Sequence, residues 1–406
     1  MKSVAIVGAS LAGAKAAEAL RDEGFDGQIR LIGAETELPY ERPPLSKGYL
    51  TGTADRDSVF VKSADWYDTA KIELELGTEV RAIERDGHRL LLDAGRTVEY
   101  DKLLLTTGSQ VRKLDVLGGD LDGVHYLRTL ADSDSLRESI ANSRSIVIIG
   151  AGWIGLEVAA AARAADVAVT MVDPATLPLV RVLGSEVAEM FAALHRSHGV
   201  DLRLEMGVSE LVGDGTRVSG VRLTDGTVVD ADAVVVGVGI TPRTQLADEC
   251  GLVVDNGVMV DESLKCSDPD IFAAGDVANA FHTFYGTHVR LEHWANALNQ
   301  PKVAAQSMLG KSVSYDRLPY FFSDQYDLGL EYTGYVSGNA YDEVVFRGDK
   351  DSFEFIAFWC REKRVLAGIN VNVWDVTESI KTLIKSRQAV DPKRLADPAI
   401  GLDELI

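Results

Sequence analysis

Two stretches of this chain repeat one pattern. Val4-Ala5-Ile6-Val7-Gly8-Ala9-Ser10-Leu11-Ala12-Gly13 returns as Ile146-Val147-Ile148-Ile149-Gly150-Ala151-Gly152-Trp153-Ile154-Gly155. In each copy an apolar run enters a glycine turn and leaves into an Ala-rich stretch. A second apolar run then ends at an acid, Glu35 in the first copy and Asp173 in the second. Backbone N–H groups at a helix start attract anions, and glycines let a pyrophosphate come close to them. The acid at the end of the next strand suits ribose hydroxyls. One copy alone is a weak signal. Two copies predict two dinucleotides held close together, the arrangement in which a flavin meets a nicotinamide.

The copies differ in detail. The first carries Ser10 where the middle glycine is expected, which adds a hydroxyl and some bulk. Gly8-Ala9-Ser10 has a likeness to a hydrolase nucleophile elbow, but position 12 is Ala, not Gly, and the dinucleotide reading stands. Glu35 is expected to take the adenosine ribose hydroxyls, with Ala34 competing for the same place. The second copy keeps all three glycines, Gly150, Gly152 and Gly155, with Trp153 and Ile154 between them. Asp173 suits a ribose 2′-OH and would repel a 2′-phosphate. Pro174-Ala175-Thr176 follows it with no Arg or Lys. The pair predicts preference for NADH over NADPH.

Other reactive residue types add little. Two-dinucleotide flavoproteins often carry a redox cysteine pair early in the first unit. Here Pro43-Pro44-Leu45-Ser46-Lys47 stands in its place, and the cysteines are Cys250, Cys266 and Cys360, with no close pair. They read as reduced packing residues. Electrons reaching the flavin must therefore leave to something outside the chain. His195 and His198 are spaced i, i+3 but have no acidic or thiol partner in frame, so they read as a solvated helix face. His282, His288 and His293 are scattered, and no metal site is expected. Arg347-Gly348-Asp349 reads as a hairpin turn.

The elements that must position these residues follow from pattern. Residues 1–33 read strand, glycine turn, helix (Ala14 to Glu23) and strand (Gln28 to Ile32). The double proline at Pro43-Pro44 marks a rigid loop. Val80 to Ile83 and Arg89 to Leu92 read as a strand pair, and Leu103 to Leu105 as a buried strand ending at Gly108. The second copy contributes the strand Ile146 to Ile149, a helix from Ile154 to Ala165 and the strand Ala168 to Val172. Val221 to Leu223 and Val228 to Val229 form a hairpin through Asp225-Gly226. Ala233 to Val236 leads into Gly237-Val238-Gly239, and the turns at Gly108 and Gly239 read as crossovers between domains. Asp270 to Asp276, ending in Gly275-Asp276, returns to the first domain. From about Leu318 the chain becomes strands and aromatics: Glu331 to Val336, Glu343 to Phe346, Phe353 to Cys360 and Val365 to Val373, then a helix from Val376 to Arg387.

The expected fold is α/β: two Rossmann-like dinucleotide-binding domains plus a mixed α+β C-terminal domain. The division is 1–113 with 243–317 for FAD, 114–242 for NAD, and 318–406 for the C-terminal domain. The 406 residues include 41 basic and 62 acidic side chains, a formal charge of −21. That balance argues against nucleic acid or an anionic membrane as partner. No apolar run approaches the roughly 18 residues of a membrane span. The short apolar run after Met1-Lys2-Ser3 reads as a buried strand, not a signal peptide, and the cytoplasm is the expected location. An acidic protein partner would need a local basic patch, for which Arg290, Lys302 and Lys311 are the candidates. Oligomeric state is not legible.

Several segments together carry a family resemblance. Pro39-Tyr40-Glu41-Arg42-Pro43-Pro44-Leu45-Ser46-Lys47, Gly155-Leu156-Glu157, Ala273-Ala274-Gly275-Asp276 and Ser323-Asp324-Gln325-Tyr326 resemble, in order, the FAD-dependent NADH:ferredoxin reductases of oxygenase and cytochrome P450 electron-transfer chains. The likeness covers nearly the whole chain. It implies a glutathione-reductase-like fold, FAD and NAD as cofactors, and a small iron–sulfur partner of the [2Fe–2S] ferredoxin type. It implies that Lys47 lies near flavin N5 and pairs with Glu157, which faces the nicotinamide amide; these two are the expected catalytic residues. Arg42 is implied to contact FAD, Val80 to lie near the adenine, and Arg128 near the bound cofactors. Asp276 is implied to hold the ribityl or pyrophosphate end. Trp294 would sit at the flavin pyrimidine edge. Gly237, Gly239 and Gly275 complete the expected cofactor-binding turns. Many relatives carry a tryptophan before Ser-Asp-Gln; here Phe321-Phe322 precede it, and Phe322 takes that place. A rubredoxin reductase shares these features, and so does an FAD-bound redox-sensing interaction protein resembling apoptosis-inducing factor. That last class is expected to carry long insertions, which this compact chain lacks.

Overall fold

The computed structural model describes residues 1–336, 338 and 340–406. The chain divides into two compact units: Met1–Arg42, Asp55–Gln110 and Ile240–Pro319 in unit 1; Pro43–Ala54, Val111–Gly239 and Tyr320–Ile406 in unit 2. The chain passes between units within two residues of Gly108 and at Gly239. Pro43–Ala54, which the sequence division places with the first domain, packs into unit 2.

Unit 1 is built on a five-stranded parallel sheet in the order Ile271–Ala273, Lys102–Leu105, Ser3–Val7, Gln28–Gly33, Ile72–Leu76. Its strands are near-continuous apolar runs because both faces of a parallel sheet are covered. Ile271–Ala273 pairs with Leu103–Leu105, which places the Gly275-Asp276 turn in this unit, as its sequence pattern indicates. The helix Leu11–Asp22 buries Ala14, Ala16, Ala17 and Ala19. Small side chains let it pack closely against its neighbour, the Trp294–Met308 helix. Two further three-stranded sheets complete the unit.

Unit 2 repeats the plan. Its parallel sheet runs Asp201–Leu204, Ala168–Asp173, Ser145–Ile149, Ala233–Val236, Val124–His125. The Trp153–Ala164 helix follows the glycine turn. The C-terminal part is a five-stranded antiparallel sheet, ordered Tyr320–Gln325, Leu328–Gly334, Arg364–Val371, Glu354–Arg361, Glu343–Asp349, followed by the helix Thr377–Ser386. Trp359 is fully buried there and donates its indole N–H to the Leu183 carbonyl at 3.1 Å. That carbonyl belongs to the Val180–Ser197 helix, which is broken at Gly184 (φ +74°).

Several sequence expectations need correction. Pro43–Ser46 is a 3₁₀ turn followed by the short helix Gly48–Thr51, where a loop without regular structure was expected. The φ that proline fixes is the φ of a helical turn, so the double proline starts a turn here. Arg347-Gly348-Asp349 closes the Glu343–Asp349 strand, and the turn lies beyond it; the Arg347 guanidinium is held by the Asp397 carbonyl at 2.7 Å. Among the described residues no helix is long and apolar enough to cross a membrane.

Candidate functional site

The first cradle lies in unit 1. Gly8 adopts φ +117°, and a Cβ there would stand 2.2 Å from the Thr106 carbonyl oxygen. A Cβ on Gly13 would stand 2.1 Å from the Gly8 oxygen. Strand, turn and helix therefore approach more closely than any larger residue allows. Leu11 and Ala12 are buried in the first helical turn, which carries no acidic residue and no side-chain cap. Its leading N–H groups are left for an anion. Ser10 turns its hydroxyl toward the Tyr40 carbonyl at 3.4 Å. A Cβ on Gly275 would lie 3.2 Å from Ala12 Cβ, so the Gly275-Asp276 turn closes against the same helix start. Gln300 Oε1 accepts the Gly275 N–H at 2.8 Å and pins that turn.

Acid and base meet beside this turn. Arg42 Nη2 donates to Glu35 Oε1 at 2.9 Å, and the Tyr40 hydroxyl donates to Glu35 Oε2. Burial alone would raise the Glu35 carboxyl; Arg42 and Tyr40 outweigh it and hold the group below the usual carboxylate range. Ala34, next to Glu35, is exposed. Trp294 opens its helix and donates its indole N–H to Glu41 Oε2 at 2.8 Å. Val80 stands in a separate three-stranded sheet, paired with Leu92.

The second cradle lies in unit 2. Gly150 adopts φ +108°, and a Cβ there would meet the Gly237 oxygen at 2.3 Å. A Cβ on Gly155 would meet the Gly150 oxygen at 2.1 Å, the same value as for Gly13 and Gly8. Nothing lies within 4 Å of a Cβ built on Gly152, so the place occupied by Ser10 in the first copy is open space in the second. The helix behind it also lacks a side-chain cap and a first-turn acid. Ile154 is exposed, while the Trp153 ring packs edge-on against Phe191 and Phe321. Asp173 Oδ2 accepts the Ala151 N–H and Oδ1 the Ala175 N–H, each at 2.7 Å. The Gly239 oxygen accepts the Arg112 N–H at 2.9 Å. Arg128 precedes the capped helix Leu130–Asn142, and its N–H bonds Asp132 at 3.0 Å.

Lys47 and Glu157, more than a hundred residues apart in sequence, form a 2.7 Å ion pair with side chains 15% and 3% exposed. Ser323 donates to Glu157 Oε1 at 2.6 Å, and Ser46 donates to Oε2. Both carboxylate oxygens are thus held by donors, as a buried charge requires. Lys47 Nζ also stands 5.4 Å from the centre of the Phe322 ring. The early Pro-Pro-Leu-Ser-Lys segment therefore commits its two polar side chains, Ser46 and Lys47, to Glu157, and it contains no thiol. All three cysteines are free, and burial raises the Cys266 and Cys360 thiols, the latter to about 12.

Two readings from the sequence do not survive. His195 does not lie on a solvated face: it is fully buried, with Nε2 2.9 Å from Gln325 Oε1 and Nδ1 3.2 Å from the Tyr326 hydroxyl. Val187 and Phe191 precede it at two successive four-residue steps and are also buried, a signal that places position 195 on the inner face. The basic trio is not an open patch either. Arg290 is 11% exposed and paired with Glu292 at 2.7 Å, and Lys311 is paired with Glu23; Lys302 is exposed.

These residues fit two dinucleotides. Each unit offers a glycine turn where a larger residue would collide with backbone, an uncapped helix start without negative charge, and an acid at or just beyond the end of the second strand. Comparison with known proteins agrees. The family model for pyridine nucleotide-disulphide oxidoreductases matches residues 2–300, and that for the reductase C-terminal domain matches residues 320–406. The chain is 43% identical over 404 residues to the anthranilate 1,2-dioxygenase system ferredoxin–NAD(+) reductase component of Burkholderia cepacia, covering 98% of this chain and 97% of that one. It is 39% identical over 409 residues to putidaredoxin reductase of Pseudomonas putida, covering 100% and 96%. The crystal structure of the covalent putidaredoxin reductase–putidaredoxin complex matches it with a TM-score of 0.96 at 38% identity, covering 100% and 98%.

Proposed function

The chain belongs to the FAD-dependent ferredoxin–NAD(+) reductase family, and from that premise we propose that it oxidises NADH and passes the electrons singly to a [2Fe–2S] ferredoxin serving an oxygenase or cytochrome P450. FAD, when bound, supplies the conversion: one hydride in from NADH, two single electrons out to two ferredoxins, and one proton released. We assign its pyrophosphate to the Gly8–Gly13 turn, its adenosine side to Glu35 and Arg42, and its ribityl side to the Gly275-Asp276 turn, with Trp294, Val80 and Arg128 contributing. NADH is assigned to Gly150–Gly155, Gly237 and Gly239, with Asp173 taking the ribose 2′-OH. Glu157 orients the nicotinamide amide, and Phe322 gives the ring an apolar face. The Lys47 cation favours negative charge on the reduced flavin. We read three functional domains across the two compact units: residues 1–113 with 243–317, 114–242, and 318–406. We place the protein in the cytoplasm.

The carrying observation is the buried Lys47–Glu157 pair, fixed by Ser46 and Ser323, on a segment without a thiol. A disulphide reductase needs a cysteine pair to receive the electrons; here they have to leave the chain. The test is anaerobic mixing of the yellow protein with NADH, followed by titration with candidate ferredoxins and one rubredoxin. Flavin bleaching within seconds and ferredoxin-dependent reoxidation are expected. Absent bleaching removes the reductase reading, and reoxidation by rubredoxin alone changes the partner.

A further inference from the structure

A row of buried polar side chains stands behind Glu157. Ser323 Oγ bonds Glu157 Oε1 at 2.6 Å, Gln325 Nε2 bonds Ser323 Oγ at 3.2 Å, and Gln325 Oε1 stands 2.9 Å from His195 Nε2. His195 Nδ1 stands 3.2 Å from the Tyr326 hydroxyl, and the His198 ring stacks on Tyr326 at 3.6 Å. Ser323 and Gln325 are both buried because they sit two apart on one strand and share a face. All of these groups lie in unit 2.

Valence fixes the direction of the row. The Glu157 carboxylate, paired with Lys47, can only accept, so Ser323 gives it its single proton. Ser323 must then accept from Gln325, which turns the amide N–H toward Ser323 and the amide oxygen toward His195. His195 therefore carries its hydrogen on Nε2. Its Nδ1 is bare, and the Tyr326 hydroxyl donates to it. Burial pushes the ring down to about 4, in keeping with a neutral imidazole. Every donor in the row points toward Glu157, and bonds aligned in this way polarise one another. A neutral carboxamide does not pass a proton along, so the row carries orientation, not protons.

We propose that His195 is a positioning residue: through Gln325 it keeps the Ser323 hydroxyl aimed at Glu157 and so fixes the carboxylate to which Lys47 is paired. The proposal rests on the reading that Lys47 and Glu157 serve hydride transfer, and its test separates the two. Nitrogen-15 histidine NMR of the FAD-loaded and FAD-free protein, between about pH 6 and 8, reads the tautomer directly. A neutral ring with hydrogen on Nε2 is expected, and hydrogen on Nδ1 overturns the proposal. Stopped-flow reduction by NADH is then compared for His195→Leu, which removes the donor, and His195→Gln, which restores an N–H at the place of Nε2. The limiting rate is expected to fall about five-fold in His195→Leu with the NADH dissociation constant unchanged, and to recover to within about two-fold in His195→Gln. Equal rates in both variants and the parent overturn the proposal. Should His195→Leu not fold, Gln325→Met interrupts the same row and carries the same expectation. Lys47→Met is run beside them. If it too leaves the rate unchanged, the reading of the site has failed, while the tautomer result still judges the row itself.

Discussion

Asp173 is asked to do two things, and a substitution can separate them. The proposed preference for NADH assigns it a ribose hydroxyl. The structure already commits both of its oxygens to backbone, the Ala151 N–H of the glycine turn and the Ala175 N–H beyond the strand. Asp173→Ala removes both acceptors. Ala151 is buried, so its N–H is left without a partner at a cost of about 1–3 kcal/mol. Ala175 is half-buried and can turn to water, which adds about 0.5–1 kcal/mol. The expected loss is about 1.5–4 kcal/mol in protein carrying no NADH, a fall in Tm of at least roughly 3 °C for a unit of roughly 200 residues. Asp173→Asn keeps one acceptor and should lose about half as much. With NADH present, loss of a hydrogen bond to a charged acceptor predicts a fall in kcat/KM of about ten- to hundred-fold, while NADPH, no longer repelled, gains on NADH. Thermal unfolding of FAD-loaded protein without NADH, followed by steady-state kinetics with both coenzymes, reads the two effects apart. An Asp173→Ala protein with unchanged Tm refutes the structural half. A parent enzyme with higher kcat/KM for NADPH refutes the functional half.

Three further outcomes are expected. Lys47→Met leaves the buried Glu157 carboxylate with only its two serine donors; hydride transfer to the flavin should slow by at least about ten-fold in anaerobic stopped-flow, and an unchanged rate removes Lys47 from the chemistry. Ser10→Gly restores the middle glycine of the first cradle; because the hydroxyl makes only a 3.4 Å contact with the Tyr40 carbonyl, FAD affinity measured by fluorescence quenching should stay within about two-fold, and a larger loss would show that the hydroxyl binds the cofactor. The folded value of His195, about 4, lies below its ordinary 6.5, so the unfolded chain binds the extra proton in that window. Stability tied to His195 is complete above about pH 6.5 and falls as the pH drops toward 4, by up to about 3 kcal/mol. His195→Gln lacks this loss, so the stability difference between parent and variant should move in favour of the variant on acidification; urea unfolding at both ends of the window measures it, and a constant difference contradicts a neutral buried ring.

Where a feature was carried by neighbours in sequence, it could be read from sequence. The glycine cradles are in part such features: strand, turn and helix follow one another, and a Cβ at Gly13 or Gly155 would meet the Gly8 or Gly150 carbonyl of the same turn, whereas the collisions at Gly8 and Gly150 come from Thr106 and Gly237, distant in sequence. Glu35, two residues beyond Gln28–Gly33, and Asp173, the last residue of Ala168–Asp173, follow the strands next to those turns and could be picked out for the same reason. The backbone bonds of Asp173 to Ala151 and Ala175 were not read, although the one to Ala175 is an ordinary Asx turn. The Lys47–Glu157 pair is different in kind. No periodicity joins position 47 to position 157, and only likeness to a family could suggest it.

The two misread elements fail for one shared reason. In the Val180–Ser197 helix, His195 occupies the apolar face marked by Val187 and Phe191, yet with no acidic or thiol partner in frame it and His198 read as a solvated face. In the Tyr320–Gln325 strand, which the sequence did not reveal as a strand, the buried alternate positions are Ser323 and Gln325, so the expected alternation is inverted and a polar face points inward. Each element taken singly breaks the rule that apolar residues face the core. Taken together they obey the stricter rule that buried polar groups must find partners. The inward His195 satisfies the inward Gln325, which satisfies Ser323, which in turn holds the carboxylate. The error in one element is complementary to the error in the other, and this complementarity ties both to Glu157.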